Sequence, residues 1–125
     1  MTKQKSDLLQ GTLDMLILKA LSLGSTHGYG VLLRIEESSR GLLSLEQGSL
    51  YPALNRMEDR GLITSEWGTS ENNRRARFYC LTKSGHRRLE GETDRWGRMV
   101  EAVSNVLGSA PGPPSKVGST RPSEV

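Results

Sequence analysis

The stretch GSLYPALNRMEDRGLI, residues 48 to 63, sets two kinds of side chain against each other. Leu50, Ala53, Leu54 and Met57 fall within an arc of roughly 100° on a helix turning 100° per residue, an ordinary core stripe. The same spacing places Gly48, Tyr51, Pro52, Asn55, Arg56 and Asp59 on the opposite side. Asn55 and Arg56 are the residue types that make paired hydrogen bonds to adenine and guanine edges. Ser49 and Tyr51, near the helix start, are placed to bond phosphate oxygens with help from the N-terminal dipole. Asp59 repels phosphate, so the N-terminal half is the half expected to approach a polyanion. A second cluster follows. Six cations, Arg74, Arg75, Arg77, Lys83, Arg87 and Arg88, stand between Asn72 and Arg88 with no carboxylate among them. The formal net charge is only +3, so it is this concentration that points to nucleic acid or an anionic membrane surface.

These side chains need a scaffold. Residues 7 to 23 carry Leu9, Leu13, Leu16, Ile17, Ala20 and Leu21 at helical spacing, with Ser6 placed to cap and Asp7 in the first turn. Leu8, Met15 and Leu18 widen its apolar surface, which suits burial on two sides. GSTHG interrupts the pattern, and residues 28 to 39 resume it as a short second helix with His27 as its cap or as a buried hydrogen-bonding residue. The opening stretch is the third helix, with Pro52 tolerated in a first turn and Gly61 as its stop. LITSEW (62 to 67) and ARFYCLT (76 to 82) read as two strands of a hairpin with a long basic tip, and Trp67 as hairpin packing. Thr82 is placed to cap a fourth helix over 83 to 107, where Leu89, Trp96 and Val103 recur every seven residues, joined by Met99 and Val100. The remainder, 108 to 125, holds four of the five prolines and is expected to be a disordered tail.

Three helices, a hairpin and a further helix make a mainly α fold with a small β-hairpin: a winged helix-turn-helix over residues 1–82, then a dimerisation helix over 83–107. Hydrophobic residues at 34% and aromatics at 5% are sparse for so short a chain, which favours burial against a second copy.

Chemistry of other kinds finds little support. His27, His86 and the single Cys80 form no metal set, and the histidines have no companions for nucleophilic catalysis, so neither cofactor nor enzyme is expected. Cys80 reads as a small hydrophobe on a strand, and one cysteine excludes an internal disulfide. No stretch is apolar enough to span a bilayer, and no leader pattern stands at the start, so a cytoplasmic protein is expected.

Read together, the segments HGYG (27 to 30), QGSLYPALNRMEDRGLI (47 to 63) and NNRRARFYCLTKSG (72 to 85) resemble the PadR family of bacterial transcriptional regulators. With LLQGTLDMLILKALSLG (8 to 24) and SEWGTSENNRRARFY (65 to 79) added, the likeness is closest to the acidobacterial-type subgroup. The resemblance implies a homodimeric winged-helix repressor on double-stranded DNA. It carries DNA contacts to Ser49, Tyr51, Asn55 and Arg56 on the third helix and to Arg74, Arg75 and Arg77 on the wing. It implies a dimer interface built from the first and last helices, here Leu9, Leu13, Leu89, Trp96, Met99, Val100 and Val103. Trp96 is then chiefly an interface residue, and secondarily a candidate contact for a flat, aromatic effector. The sequence departs from a smooth final helix at Gly85, Gly91 and Gly97, each costing roughly 0.5 to 1 kcal/mol relative to alanine. The competing reading is a winged-helix module whose third-helix face meets a partner protein.

Overall fold

The computed structural model describes residues 3–112, with side chains from Thr12 onward. The elements run α1 (Lys3–Ser22), β1 (Thr26–His27), α2 (Gly28–Ser38), α3 (Gln47–Asp59), β2 (Ile63–Thr69), β3 (Arg75–Leu81) and α4 (Lys83–Leu107). Helix α1 begins ahead of Ser6, which therefore lies inside it rather than capping it. Of the tail expected over 108–125, residues 113–125 lie outside the described residues.

The core follows the helical stripes. Leu50, Ala53, Leu54 and Met57 of α3 are fully buried, and Leu13, Ile17, Leu18, Ala20 and Leu21 of α1 pack with them, together with Val31 and Ile35 of α2. Leu13 is the first correction. Only 3% exposed inside its own domain, it has no surface to offer a partner chain. Arg34 of α2 donates to the carbonyls of Ala20, in the last turn of α1, and of Gly24, just beyond it, at 2.8 and 2.5 Å, tying α2 to the end of α1.

Pro52 is the second correction. With α3 starting at Gln47, it is the sixth helical residue rather than one of the first turn. Its missing N–H leaves the Gly48 carbonyl without an intrahelical donor, and exposure of Gly48 to water offsets that loss. The other end of α3 is closed by backbone bonds from Gly61 to Glu58 at 3.0 Å and from Leu62 to Met57 at 2.9 Å.

The hairpin is one strand larger and its tip shorter than expected. β1 adds to β3, with Thr26 opposite Tyr79 and His27 opposite Phe78, giving a three-stranded antiparallel sheet in the order β1-β3-β2. Two residues are too few for a period-2 pattern, so the polar run GSTHG hides this strand. β2 and β3 pair out to Thr69 and Arg75, which puts Arg75 as well as Arg77 on a strand and leaves only Arg74 in the turn. The tip is a turn in which the Asn73 N–H reaches the Ser70 carbonyl at 2.8 Å, with Asn73 at φ 60°.

Thr82 caps α4 as its position suggested: its hydroxyl accepts from the Gly85 amide at 3.0 Å and donates to the Gly61 carbonyl at 2.7 Å. Gly85 is buried here, and a Cβ would run into the Leu62 carbonyl oxygen, so the close approach of α4 to the start of β2 requires glycine. The chain divides into two compact units at Asp94 and Arg95, within α4. Leu89, in the first unit, packs partly against the core.

Candidate nucleic-acid interface

The start of α3 is open. Its N-cap is Glu46, in extended conformation, and no side-chain hydrogen bond closes the cap among the described residues. The amides of Gln47 and Gly48 and the dipole behind them are therefore available to an outside acceptor, whereas those of Ser49 and Leu50 already donate to the Glu46 carbonyl at 3.0 and 3.2 Å. Ser49 and Tyr51 are both exposed at this end, and Asn55, one turn beyond Tyr51 on the same face, is exposed as well.

Tyr51 is held in place from below. A Cβ at position 28 would overlap its hydroxyl and ring, so the glycine of HGYG lets the phenol lie across the start of α2. His27 caps α2, its Nδ1 accepting from the Gly30 amide at 3.0 Å, and its ring meets Phe78 edge-on at 5.3 Å.

Opposite stands the wing. The Arg75 and Arg77 guanidiniums lie 4.6 and 5.6 Å from the centre of the Trp67 ring, a cation–π arrangement that the strand register produces by setting Trp67 across from Arg77. Arg77 is further committed to the domain: Nε donates to Ser65 Oγ at 2.8 Å, and Ser65 donates to Glu58 Oε2 at 2.7 Å. Arg74 and Arg75 pair with no carboxylate among the described residues. Gln47 and Tyr51 of α3, Gly28 and Tyr29 of α2, and Trp67, Arg74, Arg75 and Arg77 of the wing line one groove of about 750 Å³. Tyr79 forms part of its floor, and burial raises its phenol above the ordinary value of 10.0.

Arg56 stands apart. Its guanidinium donates to Asp14 of α1 at 2.9 Å, with both side chains about one-third exposed. Expected to face outward beside Asn55, it is one-third exposed and also bonded to an acceptor on another helix, which a helical wheel cannot register. Trp67, Gln47 and His27 line the groove without having been expected there. The signal for Trp67 lay in the tip: an asparagine suited to a left-handed turn position at 73 shortens the loop and brings Trp67 opposite Arg77.

In the second unit Trp96, Met99, Val100 and Val103 are 43 to 57% exposed, and Val106 and Leu107 more so, all at the i, i+3, i+4, i+7 spacing of one helix face. Leu9 lies in α1, but its side chain is outside the described residues. Cys80 is exposed, not packed as a small hydrophobe. Among the described residues no helix is long and apolar enough to cross a membrane, and no group of three or more His, Cys, Asp or Glu side chains is placed to hold a metal.

This architecture has solved counterparts. A PadR-like transcriptional regulator from Bacillus cereus is 27% identical, with a TM-score of 0.72 over 83% of this chain and 99% of that one. A transcriptional regulator from Clostridium thermocellum is also 27% identical, with a TM-score of 0.71 over 82% and 99%. A PadR family transcription regulator from Clostridium difficile is 31% identical, with a TM-score of 0.63 over 77% and 97%. The model of the transcriptional regulator PadR-like family matches residues 17–91, from the second half of α1 through the wing and into α4. That span holds every element lining the groove and more than half of the chain, which places this protein in the PadR-like family of transcriptional regulators.

Proposed function

We propose that this protein is a sequence-specific DNA-binding repressor that acts as a homodimer on a palindromic operator in the cytoplasm. The observation that carries the reading is the groove in which Tyr51 and the uncapped start of α3 face Arg74 and Arg75 across the wing. PadR regulators bind DNA and are generally dimeric, which agrees with this assignment.

In this reading α3 enters the major groove from its N-terminal end. The Ser49 and Tyr51 hydroxyls and the Gln47 and Gly48 amides take phosphate, Asn55 reaches a base edge, and Arg74, Arg75 and Arg77 follow the flanking backbone. Arg56 instead ties α3 to α1. Residues 1–82 supply the DNA-binding domain and 83–107 the dimerisation helix, with Trp96, Met99, Val100 and Val103 meeting their copies in a second chain. A symmetric dimer then sets two recognition helices roughly 34 Å apart, one turn of DNA. The chain falls in the acidobacterial-type group with a short, single C-terminal helix. A flat aromatic effector at Trp96 would release DNA by changing the angle between the two DNA-binding domains.

The test is selection of bound sequences from random duplexes by the intact protein, by Asn55→Ala, and by Arg74→Ala combined with Arg75→Ala. An enriched palindrome is expected, with base preference relaxed by the first variant and affinity lowered without loss of preference by the second. Absence of enrichment at every salt concentration, with and without aromatic small molecules, would transfer the groove to a protein partner.

A further inference from the structure

The groove contains an acidic side chain that a DNA-binding surface does not need. Glu71, at the tip of the wing, is the one carboxylate among the residues lining it, beside Arg74, Arg75 and Arg77. Its Oε1 lies 3.4 Å from Nε2 of His27.

His27 is held so that this nitrogen can only donate. Nδ1 accepts the Gly30 amide at 3.0 Å, so in the neutral ring the proton sits on Nε2. The backbone of His27 is paired into the sheet and its ring is braced against Phe78, leaving the side chain 12% exposed. The donor's direction is therefore set by the fold. Its partner is set by much less: Glu71 is 79% exposed, and 3.4 Å is long for a bond to a carboxylate, which favours roughly 2.7 to 2.9 Å.

Building on the DNA-binding reading, we propose that His27 Nε2–H is a contact for a DNA backbone phosphate, and that the Glu71 carboxylate occupies this position while the groove is empty. A phosphodiester presents the same anionic oxygens as the carboxylate, and it can also engage Arg74 and Arg75, which Glu71 leaves without an ion pair. When the backbone settles between α2 and the wing, Glu71 must leave, because two anions cannot share one donor. Its exposure makes that movement cheap. Glu71 is thus an internal competitor that lowers affinity for a duplex whose phosphate must take its place at His27.

Duplex affinity of the full chain is measured by fluorescence anisotropy at about 0.3 M salt, where screening within roughly 6 Å leaves mainly contact effects. Four proteins are compared: wild type, Glu71→Ala, His27→Asn and the double variant. Asparagine keeps an N-cap acceptor for Gly30 but has no donor at the Nε2 position. Glu71→Ala is expected to tighten binding about three- to tenfold and His27→Asn to weaken it by a similar factor. In the His27→Asn background, Glu71→Ala should then gain less than about twofold, since the competed donor is gone. Equal gains in both backgrounds, or no gain in either, overturn the inference while leaving DNA binding intact. Absence of wild-type binding at every salt concentration overturns the DNA reading and this inference with it. Should His27→Asn fail to fold, the imidazole ¹⁵N spectrum of Glu71→Ala decides: an Nε2–H resonance that moves on adding duplex supports the contact, and one that does not move refutes it.

Discussion

The Arg56 guanidinium donates to Asp14 Oδ1 at 2.9 Å, fastening α3 to α1. With both partners about one-third exposed, the pair is worth on the order of 0.5 to 1 kcal/mol after solvent screening. A double-mutant cycle of Arg56→Ala and Asp14→Ala, read by chemical denaturation, should return a coupling of that size. Arg56→Ala should leave base preference unchanged in selected DNA. A relaxed preference at one base pair would instead restore Arg56 to the DNA surface.

Tyr51 lies against Gly28 so closely that a Cβ at position 28 has no room beside the phenol. Gly28→Ala should force Tyr51 off its seat, destabilising the fold by about 1 to 3 kcal/mol through overpacking. DNA affinity should fall in parallel. Combining it with Tyr51→Ala should recover stability but not affinity, a split that thermal melting and anisotropy together detect.

Burial holds the Tyr79 phenol above its ordinary value of 10.0, with the nearby Arg77 charge acting in the opposite direction. A folded-state value above the unfolded one means the native protein retains this proton longer. The associated stability is therefore complete below pH 10 and declines as pH rises through the folded-state value. Tyr79→Phe should remove that part of the alkaline decline, seen as a shallower fall of denaturation midpoint above pH 10 than in wild type. Identical slopes would mean that the phenol ionises freely in the native state.

Trp67 lies beneath two guanidiniums, and each such contact contributes about 0.5 to 1 kcal/mol at an exposed site. Trp67→Ala should release Arg75 into a wider range of positions and weaken DNA binding less than Arg75→Ala does. Only the arginine variant should reduce the slope of log affinity against log salt, by about 0.9 for one lost phosphate contact. Salt titrations of both variants provide the comparison.

The exposed face of Trp96, Met99, Val100 and Val103 is expected to meet its copy in a second chain. Val100→Glu with Val103→Glu should give a monomer in sedimentation equilibrium at concentrations where wild type is dimeric. A wild-type monomer at high concentration would remove the homodimer from the proposal.

Much of this arrangement is legible along the chain. The two faces of α3 follow from spacing alone, since each helical side chain's direction is set by its own position in the turn, and its four inward residues are the ones found fully buried. The caps at His27 and Thr82 are equally local, because each bond spans three residues. The wing is marked by β-branched and aromatic runs on either side of a polar turn. Composition and element order already pointed to a polyanion and a second copy, and the family resemblance added the repressor role and the residues of the dimer interface.

The sequence by itself therefore determined the helices, their inward faces, the caps of α2 and α4 and the basic character of the wing, because these depend on neighbours a few residues away. Only the tertiary structure decided the third strand, Leu13's burial in its own core, and the partners of Arg56 and His27, which lie 42 and 44 positions away. The same holds for the meeting of Tyr51 with Gly28 and of Trp67 with its two arginines. Such contacts depend on how whole elements pack, and a side chain's periodicity tells which way it points from its own backbone without telling what it will find there.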